Sequence, residues 1–358
     1  MAAITANVDW TKSMQRTYEY YIVDPNTWQD VRKLDKVKTS GIEWDGESDT
    51  LGSATFDMDE LIGEKYVRIY LITIQNGVRR RHDLGTFLIQ TPSQSFDGKV
   101  TSVSMDAYTP LLELNEKYLP IGYYVPKGEN IMDIAYRLAR EGARAPVIRA
   151  TCDEKLANDF VADTDDTYLS FIRDLIANAK YELALDEKGR ILFAPKRETA
   201  SLHPVFTFND DNSSILLPEL SIEEDIYGIP NVVNVVCSKG DEVYNVTVKN
   251  EDASSITSIQ SRGREIMYRE TDPTLLGDPT EERVKDYAER LLKELSSIEK
   301  TVSFTHGYCP VKVGDCVRLN YTRAGLNNVK AKIISQSIDC TPSCPVTTTA
   351  VYTTKYWR

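Results

Sequence analysis

Tyr66-Val67-Arg68-Ile69-Tyr70-Leu71-Ile72-Thr73-Ile74-Gln75-Asn76-Gly77-Val78 alternates Val67, Ile69 and Leu71 against Arg68 and Tyr70 before it meets Asn76-Gly77. A period of two belongs to a strand with one face on a core. Asn-Gly supplies the left-handed positions of a type I′ turn, so a returning strand is expected over 78–90. A second turn of this kind, Asp97-Gly98, leads into Val100-Thr101-Ser102-Val103-Ser104-Met105. Upstream, 18–23 and 42–44 carry the same β-branched and aromatic signal. Residues 15–110 are therefore expected to be antiparallel β-structure. Repeated hairpins without a long intervening helix predict a small barrel or sandwich.

Beyond about residue 120 the period changes. Pro126, Gly128 and Asn130 lead into Ile131, Ile134, Ala135, Leu138 and Ala139, the spacing of a short amphipathic helix. A second helix is expected after a cap at Thr164 or Asp165, with Leu169, Ile172, Leu175, Ile176 and Ala179 as its apolar stripe. Tyr181-Glu182-Leu183-Ala184-Leu185, the turn Asp186-Glu187-Lys188-Gly189, and Arg190-Ile191-Leu192-Phe193 then read as a hairpin packed on that helix. From His203 onward β-signals return at 232–237, 243–248, 317–321, 329–338 and 346–352. One helix interrupts them over 278–298, opened by Asp278-Pro279 with Glu281 and Glu282 and buried through Val284, Tyr287, Ala288, Leu291, Leu292 and Leu295. The expected domains are 1–120 (β), 121–200 (a small α/β unit of helix, helix and hairpin) and 201–358 (β with one helix), with 199–204 as linker. No period of 20 to 50 residues suggests a solenoid, although the two β-regions stay open as distant structural repeats.

The 358 residues suit roughly two to three compact domains. With 42 Lys and Arg against 54 Asp and Glu, a net charge of -12 opposes a general phosphate-binding surface, so stable nucleic-acid binding is not expected. At 41% hydrophobic and 27% charged, the composition is neither disordered nor membranous. No apolar run approaches the roughly 18 residues that span a bilayer, so no stable membrane insertion is expected. The stretch from Met1-Ala2-Ala3-Ile4 to Asp9 lacks a basic n-region and an apolar h-region, which leads to an expectation of synthesis and assembly in a cytoplasm. Six Cys are too few for a disulfide scaffold in a chain of this length.

Catalytic signatures are missing. His82, His203 and His306 form no H-x-x-x-H pattern, and there is no G-x-S-x-G elbow, no P-loop and no Gly-rich dinucleotide turn. Carboxylates gather at Asp57, Asp59 and Glu60 and at Glu223, Glu224 and Asp225, the bare requirement of a glycosidase, but acidic chains also make such clusters as solvated faces. Asn209-Asp210-Asp211-Asn212 offers oxygen donors without the Gly and terminal Glu of an EF-hand, and reads as an Asx-rich turn. Arg79-Arg80-Arg81-His82, the one basic run, follows a turn where charge keeps a strand soluble. Cys309, Cys316, Cys340 and Cys344 cluster near the C-terminus with His306, and are candidates for a zinc site or a disulfide. The long Cys309 to Cys316 gap disfavours a knuckle, so reduced, metal-free thiols in a β-core are expected. No catalytic residue, cofactor or metal is assigned.

Three stretches resemble the tail or baseplate hub proteins of tailed bacteriophages and phage-derived injection particles. Asp83-Leu84-Gly85-Thr86-Phe87-Leu88-Ile89, the Asp97-Gly98 turn and Val103-Ser104-Met105-Asp106-Ala107-Tyr108, followed by Leu111-Leu112-Glu113-Leu114, resemble the first barrel of such hubs. Residues 168–193 resemble their inserted helix and hairpin. Val313-Gly314-Asp315-Cys316-Val317 resembles the lead-in to a strand of their second barrel. The resemblance implies a mainly β fold in which two tail-tube-like β-barrels flank a small α/β domain, and a virion structural protein without a catalytic centre. It further implies a homotrimer that sets six barrels in a ring at the tail tip, adapting a six-fold tube to a three-fold tip.

The partners so implied are a distal tail or tail-tube protein above, and a tape-measure protein and a tip, spike or fibre protein below. DNA would pass transiently during genome ejection, which an acidic conduit suits. Host-wall digestion would belong to another polypeptide. Two other classes stand beside this one. A carbohydrate- or receptor-binding β-module of the tail tip would use some of the 20 Tyr and four Trp as stacking platforms, and a cell-wall glycosidase or peptidase would rest on carboxylates alone.

Overall fold

The computed structural model describes residues 8–98, 100–197, 199–211, 214–224, 226–239, 242–271, 273 and 280–355. The fold is mainly β, with 48% strand and 15% helix. The first region contributes β1 (Gln15–Val23), β2 (Asp30–Leu34), β3 (Val37–Asp45), β4 (Gly52–Met58), β5 (Tyr66–Gln75), β6 (Val78–Asp97) and β7 (Val100–Tyr108). They pair antiparallel in the order β3-β4-β7-β6-β5-β1-β2. Gln75 pairs with Val78 across Asn76-Gly77, whose φ values of 51° and 78° are those a type I′ turn needs. Asp97 pairs with Val100 at the second turn.

One expectation about β5 is overturned. The alternation set Arg68 and Tyr70 on a face away from the core, yet every residue from Tyr66 to Thr73 is buried. A second layer covers that face, where Arg68 and Tyr70 find hydrogen-bond partners while the buried Tyr66 hydroxyl has none.

The insertion holds α1 (Leu112–Asn115), β8 (Tyr124–Val125), α2 (Ile131–Gly142), β9 (Phe160–Val161), α3 (Tyr168–Ala177), β10 (Tyr181–Leu185) and β11 (Ile191–Pro195). Leu138, Phe171, Ile172 and Leu175 are almost wholly buried in its core, each contributing about 1.5–3 kcal/mol. Asn130 caps α2 by accepting from the Asp133 N–H. The cap of α3 is Thr167 and not Thr164 or Asp165: Thr167 and Ser170 bond each other's backbone N–H in a capping box. Two positions so joined satisfy two free donors at once, which a cap further upstream cannot do.

The remaining elements are β12 (Phe206–Asn209), β13 (Leu216–Glu224), β14 (Val232–Lys239), β15 (Glu242–Lys249), α4 (Ile259–Arg262), β16 (Met267–Thr271), α5 (Glu281–Leu295), β17 (Ser297–Gly307), β18 (Cys316–Tyr321), β19 (Leu326–Asp339) and β20 (Pro345–Lys355). β19 pairs antiparallel with β3, Ile338 opposite Ile42, so strands from both β-regions belong to one 13-stranded sheet. β18 joins β19 and, in parallel, β12. The helix expected over 278–298 runs from an N-cap at Thr280 to Leu295; Asp278 and Pro279 lie outside the described residues. Its end comes early because Ser297 already begins β17.

The chain packs as two compact units, Met1–Glu219 with Phe304–Thr349, and Leu220–Ser303 with Ala350–Arg358. The core of the second unit is built from Val233, Val235 and Cys237 of β14 against Val284, Ala288 and Leu292 of α5.

Candidate functional site

The covered face of β5 carries the most elaborate polar arrangement of the first unit. Arg68, 4% exposed, donates from Nη1 to Asp30 Oδ1 at 2.8 Å and from Nε to Thr86 Oγ1 at 2.9 Å. Tyr70 donates its hydroxyl to the other Asp30 oxygen at 2.6 Å, and the Arg81 guanidinium stacks 3.8 Å above the Tyr70 ring. Burial, and then the hydrogen bond to Asp30, push the Tyr70 phenol up to about 12. Burial likewise raises the carboxyl of neighbouring Asp83. The β10–β11 turn closes the arrangement: the Lys188 carbonyl accepts from Trp28 Nε1 and Thr86 Oγ1, both at 2.9 Å. Asp186 shapes that turn by accepting from the N–H groups of Lys188 and Arg190.

The arrangement ties three segments together: Arg68 is fixed by the Asp30 carboxylate, and Asp30 in turn accepts from Tyr70. Sequence reasoning gave Trp28, Asp30, Arg68 and Thr86 no role. The available signal was an Arg within an apolar strand, since a buried guanidinium requires a partner.

The four candidate zinc ligands are buried free thiols. Among the described residues no group of three or more His, Cys, Asp or Glu is placed to hold a metal ion. Burial pushes the Cys309 and Cys340 thiols up to about 12. His306 Nδ1 lies 4.0 Å from Cys309 Sγ but donates to the Gly307 carbonyl at 2.8 Å. Its Nε2 then accepts from Thr348 Oγ1 at 2.8 Å, which itself accepts from Gln336 Nε2 at 3.1 Å. Burial pulls His306 down to about 4, so the neutral ring is the resident form. His82 contacts Thr73 and the Trp10 ring, and His203 is exposed.

The carboxylate clusters are engaged locally. Asp57 accepts from Thr39 at 2.7 Å, Asp59 pairs with Lys38 at 2.5 Å and Glu224 pairs with Lys300 at 2.9 Å, while Asp225 lies outside the described residues. Asn209 accepts from Asn320 and Asp210 from the Thr322 N–H, joining β12 to the end of β18; Asn212 lies outside the described residues. Arg79 pairs with Glu19 at 3.1 Å. A groove of about 350 Å³ beside α3 is lined by Asp49, Asp165, Ser170 and Arg173. Arg173 spends its donors on Asp49 and the Ser48 carbonyl, which ties α3 to the β3–β4 loop.

No family model and no curated protein sequence matches the chain. Solved structures do. A tail protein from Neisseria meningitidis MC58 superposes with a TM-score of 0.61 at 11% identity, covering 94% of this chain and 96% of that one. The 43 kDa tail protein of prophage MuSo2 from Shewanella oneidensis gives 0.61 at 12% identity, covering 94% and 98%. The Francisella PdpA-VgrG complex gives 0.56 at 8% identity, covering 97% of this chain and 53% of that one. At these identities the likeness is one of fold: over 94% of its length the chain has the fold of phage-type tail proteins, which agrees with the resemblance read from its residues.

Proposed function

We infer that this chain is a non-enzymatic structural protein of a phage-type tail tip, a hub that forms a homotrimeric ring beneath the tail tube. The observation that carries this reading is the reciprocal coverage with two tail proteins, 94% of this chain against 96% and 98% of theirs. Residues 1–120 and 201–358 serve as the two tube-like barrels, joined in one sheet through the pairing of β3 with β19, and 121–200 is the inserted domain. Three copies then present six barrels to a six-fold tube. The partners are a distal tail or tail-tube protein above, and a tape-measure protein and a spike or fibre protein below. DNA passes without being retained, as the net charge of -12 favours. The cysteines stay reduced and metal-free.

Electron microscopy of the assembled tail tip tests this. A three-fold ring with six barrel densities at the end of the tube is the expected image. A single copy on the axis, or a peripheral copy without contact to the tube, rejects the hub. Turnover of peptidoglycan by the purified chain, lost on changing one carboxylate, rejects the non-enzymatic part.

A further inference from the structure

Residues 117–125 and 160–168 run antiparallel in one register. Tyr118 faces Thr167, Tyr124 faces Val161, the Tyr168 N–H donates to the Lys117 carbonyl at 2.8 Å and the Leu119 N–H to that of Asp166 at 3.1 Å. Leu119 and Val125 turn inward, while Tyr118, Tyr124 and Val161 stand in solvent. Between them the Tyr123 N–H bonds the Pro120 carbonyl at 3.0 Å and Gly122 has φ 80°, a type II turn that holds Ile121 88% exposed. Single exposed apolar residues are ordinary, but four on one short ladder make a patch. Asp159, Asp163, Asp165 and Asp166 lie along the same ladder, with no Lys or Arg in residues 159–166.

An occupant of such a surface must offer apolar side chains together with positive charge. The Asn76-Gly77 tip carries that combination: Val78 is 49% exposed and Arg79-Arg80-Arg81 follows. Arg80 makes no ion pair among the described residues. The type I′ turn pre-forms the tip, so little ordering entropy is lost on docking. We propose that the ladder of residues 117–125 and 160–168 receives the Asn76-Gly77 hairpin tip of a second copy of this chain, with Val78 against Ile121, arginines over Tyr118 or Tyr124, and arginine–carboxylate pairs at Asp163 and Asp165. Because patch and tip are different surfaces, the contact is head-to-tail, and with a three-fold rotation it closes into a ring. It rests on the ring reading above and names the surfaces that would make it.

The test mixes Val78→Cys chains with Ile121→Cys chains under mild oxidation. A disulfide-linked pair is expected in the mixture and in neither variant alone. Arg79→Glu with Arg80→Glu, and separately Asp163→Arg with Asp165→Arg, should each weaken self-association by about tenfold, and the combined charge swap should restore it. An oligomer that forms without the cross-link and ignores the swaps overturns this contact and leaves the ring standing. A chain monomeric at every attainable concentration, and present as a single axial copy in the tail, overturns both. Patch variants that keep self-association but lose binding of a cationic peptide or a glycan assign the ladder to another occupant, and overturn the proposal.

Discussion

The indole N–H of Trp28 donates to the carbonyl oxygen of Lys188 at 2.9 Å, joining the β1–β2 connection to the tip of a hairpin 160 positions away. Trp28 stands at φ 57°, a conformation bulky residues rarely adopt and one that costs roughly 1–3 kcal/mol. Its own N–H is held by the Asp24 carbonyl at 2.8 Å, and its ring packs 4.9 Å from that of Tyr66. The strained residue is thus fixed on both sides. Without the hairpin the Trp28 indole would be left as a buried donor without an acceptor. The inserted hairpin and the first β-region therefore stabilise each other.

Gly189 should be the most sensitive position of that hairpin. It combines φ 73° with a close approach, for an added Cβ would lie 2.8 Å from Thr86 Cβ. Gly122, at φ 80°, has nothing within 4 Å. Gly122→Ala should cost about 1 kcal/mol through backbone strain alone. Gly189→Ala should cost clearly more, since the turn must retreat and loosen the Trp28 and Thr86 bonds to Lys188. Equal shifts of the urea midpoint in the two variants would refute the close-packing argument.

Asp30→Ala removes the carboxylate shared by Arg68 and Tyr70 and should lower stability by roughly 3 kcal/mol, because a buried guanidinium is left uncompensated. Adding Arg68→Met to Asp30→Ala should recover part of that loss. A double variant less stable than the single one in thermal unfolding would show that Arg68 does not depend on Asp30.

Local signals found the local structure. The Asn76-Gly77 and Asp97-Gly98 turns, the β10–β11 hairpin and the stripes of α2, α3 and α5 follow from period and turn chemistry, because those forces act within a few residues. The pairing of β3 with β19 was not legible: neither strand's pattern names its partner, and register is set only when the chain closes on itself. The burial of Arg68 was hidden for a related reason, since the residues that cover it are distant in sequence, Trp28 and Asp30 upstream and Lys188 far downstream. β17 was missed because it follows α5 almost without a break and has no Gly or Pro to announce it.

Thiol chemistry offers another check. Cys309 and Cys340, pushed up to about 12 and buried, hold almost no thiolate at pH 8, whereas Cys152 is only half-buried. In the native protein a thiol-reactive dye should label Cys152 first, with the other thiols reacting after denaturation. Elemental analysis should find no stoichiometric zinc. Zinc that is bound one per chain and lost in the Cys340→Ser, Cys344→Ser variant would make this region a metal-stapled one.

His306 titrates near 4 in the folded chain because burial disfavours its cation, against 6.5 for an ordinary histidine. Between those values the unfolded chain takes up a proton that the native chain refuses, so stability is full above pH 6.5 and falls as the pH drops toward 4. Over that interval the loss amounts to roughly 3 kcal/mol from this one residue. Carboxylates add their own losses at lower pH, so the residue must be isolated by comparison. His306→Gln should be less stable at pH 8, where the bonds to Gly307 and Thr348 are disturbed, yet show a flatter decline between pH 6.5 and 4. Denaturation midpoints measured across that window for both proteins decide it, and parallel declines would mean that His306 is not the group that couples folding to protons.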